Sequence, residues 1–296
     1  MSLWTILLLT FEVCIGSFSF SPSLPFSGIY HPMQTELNDK WVLITGASSG
    51  FGAAAARAFA KERSRLLLGA RRVERLEKVA ADALKAGAPE AHFHFLDVGK
   101  TSSVEEFMAW SRQKITTRPS PKLDVLINNA GGALGLDTVA EGKDEDWEAM
   151  LQSNVLGVLR MTRAALPLML DNPGGSIINI GSHASRYTYE GGAAYSAAKA
   201  GELQITRTLR LELNGTGLRV STIDPGLAET EFSFVRFRGD LARAKKPYEG
   251  TNPLVAEDIA QILVWVASRP PHVNIDELIV KPVDQAAMHK VYRRTA

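Results

Sequence analysis

From residue 41 onward the chain alternates short apolar runs with longer stretches whose apolar positions recur at helical spacing. "WVLITG" (41–46), "SRLLLGA" (64–70), "AHFHFLDV" (91–98), "LDVLINNAG" (123–131), "GSIINIGS" (175–182), "LRVSTIDPG" (218–226) and "ELIVKPV" (277–283) read as buried strands. Between them, "FGAAAARAFAKE", "RRVERLEKVAADALKAG", "SSVEEFMAWSRQKI", the long segment 144–170, "AAYSAAKAG" and "AEDIAQILVWVAS" (256–268) read as helices. Ser102 or Ser103 is the expected cap of the third of these, and Gly87 closes the second. Strands separated by helices of about ten residues or more imply βαβ units, right-handed crossovers and a parallel sheet covered on both faces. The expectation is one α/β domain over residues 39–296, a doubly wound parallel sheet in a three-layer sandwich.

The first 38 residues do not share this pattern. "LWTILLLTFEVCIG" is interrupted by Glu12, and no Lys or Arg precedes Lys40. A membrane span needs about 20 apolar residues, and a secretory signal wants a positive start. The Ser- and Pro-rich stretch that follows looks like linker, with Met33 a candidate start shortly before the first strand. Residues 1–38 are therefore expected to be an N-terminal extension, disordered or outside the working protein. The protein is expected to be cytoplasmic, without a stable membrane span; export or anchoring is the alternative if the apolar start is a real signal.

Net charge is +1, so no basic field calls for nucleic acid. The single cysteine, Cys14, excludes disulfides within the chain and cysteine metal sites. His92 and His94 share one strand face but lack a third ligand type, so both read as structural and no metal is expected.

The turn after the first strand, "TGASSGFG", holds Gly46, Ser48, Ser49, Gly50, Phe51 and Gly52. Glycines between a strand and a helix let the backbone approach a pyrophosphate that sits on the helix N-terminus, as in Rossmann-type folds. The second strand ends "GARR", and no acid appears before Glu74. Arg71 and Arg72 stand where an acid would hold the 2′-hydroxyl of NAD, which favours the 2′-phosphate of NADP. Cations are also disfavoured in a first helical turn unless an anion is expected there.

Tyr195 and Lys199 stand four apart among alanine, serine and glycine, a spacing that puts them on one helix face. With "TGASSGFG", "LDV", "NNAG", "SNVLG", "GS", "YSAAK" and "DPG" in this order, the chain resembles the short-chain dehydrogenase/reductase family over about residues 41 to 285. The resemblance implies that Asp97 and Val98 contact adenine and that Asn129 lies beside the cofactor ribose, with Asn128 and Gly131 shaping the strand end. It also implies that Asn154 holds a water in a proton relay, that Ser182, Tyr195 and Lys199 are catalytic, and that Pro225, Gly226 and Thr230 close over the nicotinamide. The chemistry is coherent. A free tyrosine has a pKa of about 10, and a cation one turn along stabilises its phenolate. In the family that lysine also holds the nicotinamide ribose. Ser182 can donate to the substrate oxygen where charge develops.

Within the family the chain is most similar to NADP-dependent 3-hydroxy acid dehydrogenases, including serine 3-dehydrogenase-like enzymes. The expected partner is a small-molecule substrate, and the family implies a homo-oligomer, tetramer or dimer. The segment after "DPG" carries Phe232, Phe234, Phe237, Arg236 and Arg238. It reads as a loop that either covers a short substrate, one arginine pairing with its carboxylate, or makes a subunit contact. His183 and Arg186 are further candidates for the pocket. The alternatives are a broad carbonyl reductase or 3-oxoacyl reductase and, from another class, a non-catalytic dinucleotide sensor; retention of the Tyr/Lys pair argues against a sensor.

Overall fold

Side chains along β1 (Trp41–Thr45) alternate. Val42 and Ile44 join the core on one face of the sheet, Trp41 and Leu43 the core on the other. A computed structural model describes residues 37–115 and 121–295, all within one unit, Met33–Ala296. The expected N-terminal extension lies outside the described residues except at its end, where Leu37 is buried in the core and its carbonyl accepts from Ser64 Oγ at 2.9 Å. The apolar start, and with it the exported or anchored alternative, also lies outside them. Among the described residues no helix is long and apolar enough to cross a membrane.

The chain continues through α1 (Gly50–Lys61), β2 (Arg65–Ala70), α2 (Val73–Ala86), β3 (Ala91–Phe95), α3 (Thr101–Ile115) and β4 (Val125–Asn128). It then runs through α4 (Asp144–Leu151), α5 (Gly157–Ala165), β5 (Ser176–Ile180), α6 (Ala193–Glu212), β6 (Arg219–Pro225), α7 (Glu231–Arg236), α8 (Leu241–Lys245), α9 (Ala256–Ala267) and β7 (Glu277–Val280). The sheet is seven-stranded and parallel throughout, in the order β3-β2-β1-β4-β5-β6-β7. The expected doubly wound three-layer sandwich is therefore the observed fold. Phe59 of α1, Leu76 of α2 and Leu263 of α9 fill one face. Phe107 of α3, Met161 of α5 and Leu209 of α6 fill the other. The strand order reverses between β1 and β4, which opens a crevice at the carboxyl ends of the strands.

Two expectations are corrected. The helix expected over 144–170 is broken: a π-helical turn, Gln152–Leu156, separates α4 from α5, and a 3-10 turn containing Pro167 ends it. The loop expected after "DPG" folds as α7 and α8, because Thr230 and Asp240 cap them by accepting from Phe232 N and Arg243 N.

A chain of buried side-chain hydrogen bonds crosses the carboxyl ends of the central strands. Asn128 Nδ2 donates to Thr162 Oγ1 at 3.1 Å and to Asn179 Oδ1 at 2.9 Å. Asn179 Nδ2 donates to Thr206 Oγ1 at 2.8 Å, whose own hydrogen goes to the Glu202 carbonyl at 2.9 Å. This ties β4, β5, α5 and α6 together in a low-dielectric layer where unpaired groups would be costly. At the edge, Glu277 of β7 accepts from Arg207 of α6 at 2.7 Å and from Arg186 at 2.6 Å, and Arg186 also donates to Asp224 of β6 at 2.7 Å.

The hydrogen bond from Arg207 leads in pushing the Glu277 carboxyl down to about 2; burial opposes it and Arg186 adds to it. A depressed folded-state value contributes stability above the unfolded carboxylate range that is lost on acidification. Glu277→Gln is expected to cost about 1 kcal/mol at neutral pH. The gap to wild type should close as pH falls from 4.5 toward 2, read by urea unfolding.

Candidate active site

The glycine turn is strapped to the "NNAG" turn by Thr45. Its Oγ1 accepts from Asn129 N at 3.0 Å and from Ala130 N at 2.9 Å. Asn129 Nδ2 donates back to the Thr45 and Gly46 carbonyls at 2.9 and 3.2 Å. Gly46 and Gly50 hold φ of 65° and 51°, left-handed values that L side chains avoid. Ser48, Ser49, Phe51 and Gly52 complete the turn into α1, whose first turn carries no acid. The N-terminus of α1 is thus left for an anionic group.

Arg72 reaches back from the start of α2. It donates to Ser49 Oγ at 2.8 Å and to Ser48 Oγ at 3.2 Å. Arg71 is exposed and makes no ion pair among the described residues. Asp97 accepts from Gly99 N at 3.0 Å in the turn after β3, and Val98 is buried beside it. A guanidinium and two hydroxyls at the start of α1 make an anion site, and in this structure the Glu231 carboxylate occupies it, bound by Arg72 and Ser49.

Across the crevice, Tyr195 and Lys199 share the buried face of α6. Lys199 Nζ donates to the Ile180 carbonyl and to Glu202 Oε2, both at 2.7 Å, and interacts electrostatically with the Tyr195 phenol. Burial opposes its charge, but Glu202, then Tyr195, outweigh it and hold the ammonium above its usual range. Ser182 caps the 3-10 turn His183–Ser185 by accepting from Ala184 N at 3.1 Å, which leaves its own hydrogen free to donate. Ala184 packs in the same cluster as Tyr195.

Asn154 lies in the π turn. Its Nδ2 donates to the Met150 and Gly132 carbonyls at 2.8 and 2.9 Å, and its Oδ1 accepts from Gly132 N at 3.2 Å. That leaves one Oδ1 lone pair for a water. Pro225 and Gly226 end β6, with Gly226 N bonded to the Val280 carbonyl at 2.7 Å. Thr230 comes back against Gly50: a Cβ placed there would lie 3.6 Å from Thr230 Cβ.

A pocket beside Tyr195 is lined by Leu134, Trp147, Met150, Ala194 and Arg236. Arg236 donates to the Gly135 carbonyl at 2.8 Å and to Tyr189 Oη at 2.9 Å; its guanidinium stands 5.8 Å from the Tyr195 ring centre. The other pocket candidates fall elsewhere. Arg238 is exposed and bound to the Asp146 carboxylate, lining a neighbouring hollow of about 200 Å³. His183 is buried against Tyr187, its rings 4.6 Å apart, and burial, then Lys281, push its pKa down. Arg186 is spent on Asp224 and Glu277. The structural reading of the histidine pair fits what surrounds it: His92 lies against Trp41, and His94 against Trp110.

The model of the short chain dehydrogenase family matches residues 40–238. The chain belongs to the short-chain dehydrogenase family. It is 44% identical to the NADP-dependent 3-hydroxy acid dehydrogenase YdfG of Salmonella typhi, over 83% of this chain and 96% of that protein. It is 39% identical to serine 3-dehydrogenase of Agrobacterium fabrum, over 86% of this chain and 98% of that one. The closed form of a serine dehydrogenase complexed with NADP+ superposes with a TM-score of 0.77 at 38% identity, covering 86% of this chain and all of that one.

Two members of this short-chain dehydrogenase's site were not evident from its sequence. Glu231 opens α7 and pairs with Arg72 at 2.8 Å and Arg75 at 2.6 Å. Burial works to raise its carboxyl, but hydrogen bonds from Arg75, Arg72 and Ser49 hold it below its usual range. Glu202 is the second. Its spacing of three from Lys199 was the available signal.

Close approach at Gly131 generates a test, since a Cβ there would lie 2.5 Å from Asn154 Oδ1. Gly131→Ala is expected to cost roughly 1–3 kcal/mol by overpacking. The cost should shrink in an Asn154→Ala background, measured as a double-mutant cycle in denaturant.

Proposed function

We propose that this short-chain dehydrogenase uses NADP to transfer a hydride between the nicotinamide and the hydroxyl or carbonyl carbon of a small, serine-like 3-hydroxy acid. The observation that carries the reading is the buried Tyr195/Lys199 pair, with Ser182 free to donate and Arg236 beside the phenol. The relatives' activities and their use of NADP support it.

When bound, the nicotinamide supplies or accepts the hydride. The turn from Gly46 to Gly52 would hold the pyrophosphate at the start of α1, and Arg72 with Ser48 and Ser49 would hold the 2′-phosphate. Glu231 holds Arg72 here, so a 2′-phosphate would bind the guanidinium by displacing that carboxylate, which keeps Arg75 as its partner. Asp97 and Val98 would hold the adenine, Asn129 and Gly131 the ribose, and Pro225, Gly226 and Thr230 the nicotinamide end.

In the reducing direction the carbonyl π bond breaks as its carbon gains hydride, and its oxygen takes the proton of Tyr195. Oxidation reverses each step. Lys199 stabilises the phenolate left behind and holds the ribose, Ser182 donates to the substrate oxygen, and Asn154 keeps the relay water. Arg236, which has no carboxylate partner among the described residues, takes the substrate carboxylate. Exposed Leu151, Leu156 and Leu159 along α4, the π turn and α5 support a homodimer or tetramer.

Tyr195→Phe is expected to lower turnover by roughly 10²–10⁴-fold. NADPH affinity, followed by cofactor fluorescence, should stay within about twofold, because the phenol contributes little to cofactor binding beside the phosphate contacts. Unchanged turnover would overturn the mechanism. Arg236→Gln is expected to raise KM for 3-hydroxy acids at least about tenfold while sparing uncharged alcohols. A wild-type enzyme inert toward every small 3-hydroxy acid tested with NADP⁺ but fast in NADPH-dependent ketone reduction would favour the carbonyl reductase alternative.

A further inference from the structure

Glu202 is 1% exposed, three residues beyond Lys199 on α6. Its Oε2 accepts from Lys199 Nζ at 2.7 Å, and its Oε1 has no hydrogen-bond partner among the described residues. A buried ion pair with an unsatisfied oxygen is a poor device for stability, since an apolar residue of similar volume would avoid the desolvation cost. Its effect falls on Lys199. Of that ammonium's three hydrogens, one is fixed by the Ile180 carbonyl and one by Glu202, which sets the direction of the third.

The charged groups around this pair are few. Tyr195 faces it from α6 itself, and Asp224 faces it from β6. Asp224 is matched by Arg186 and acts on His183, and Arg236 of α7 brings a further cation to 5.8 Å from the Tyr195 ring centre. Glu202 is therefore the carboxylate that bears directly on the lysine.

We propose that Glu202 is a positioning residue and counter-charge for Lys199, aiming the ammonium while offsetting part of the positive charge that Tyr195 feels. The phenol then keeps its proton to higher pH, so the protonated form that carbonyl reduction needs persists over a wider range. This rests on reading Tyr195 as the proton donor and acceptor. Burial, against the pull of Lys199 and with a push from Asp224, raises the Glu202 carboxyl to about 7. The counter-charge is thus switched on across neutral pH, which broadens the wild-type pH–rate profile.

Glu202→Gln keeps the side-chain length and the acceptor for Lys199 but removes the charge. The expected result is that the pH–rate profile for alcohol oxidation narrows and its limb moves to lower pH by about one unit. The same displacement should appear without turnover, in the ultraviolet difference titration of tyrosinate in the cofactor-free protein, with Tyr195→Phe subtracted. A variant that loses rate evenly at every pH, with no displacement in either readout, would overturn the proposal and leave Glu202 a packing residue. Full activity in Tyr195→Phe would instead remove the acid–base reading beneath it. Should Glu202→Gln fail to unfold cooperatively, Glu202→Asp reads the same quantity: it withdraws the charge by one methylene, and a smaller shift in the same direction is expected, no shift being the overturning result.

Discussion

The site depends on one constraint: polar side chains at the carboxyl ends of a buried parallel sheet must find partners among themselves. The chain from Thr162 through Asn128, Asn179 and Thr206 to the Glu202 carbonyl pairs these groups, Asn128 Oδ1 excepted. Because three of its four links join different elements, satisfying the hydrogen bonds also fixes where α6 lies on the sheet. Tyr195 and Lys199 inherit their position from that.

The electrostatics of the crevice divide in two. At the phosphate end, Arg72 and Arg75 converge on Glu231, which holds Arg72 at the start of α1 and accepts from Ser49. At the other end, charges are removed from water and matched closely: Lys199 with Glu202, Arg186 with Asp224 and Glu277. In such surroundings a neighbour's charge is felt far more strongly than at the surface, so a carboxylate beside the lysine bears on reactivity more than on stability.

Much of this was legible in the sequence. All seven strands were, the central ones because a parallel sheet buried on both faces demands apolar runs and the edge strands β3 and β7, only partly buried, by their place in the alternation, and so were the glycine turn, Arg72 and the Tyr195/Lys199 pair. The rest depended on tertiary partners that spacing does not reveal. The π turn has no composition of its own; it follows from Asn154 reaching Gly132 and Met150. Arg236 and Arg238 look alike in the chain, yet only the first stands at Tyr195, because Asp146 takes the second. His183 follows Ser182 directly but is buried against Tyr187, since the 3-10 turn rotates successive side chains apart.

The π turn has a consequence for how the chain tolerates change in length. A wide turn accommodates one residue more than an α-helical turn would. Deleting a residue between Gln152 and Leu156 would let the backbone relax into an unbroken α-helix. Because the wide turn absorbs that extra residue, the helix beyond it would keep its phase, with Met161 and Ala165 still on the sheet, and the change would fall on Asn154 and its bonds to Gly132 and Met150. The length of the segment is thus tied to the placement of Asn154 rather than to the helix downstream.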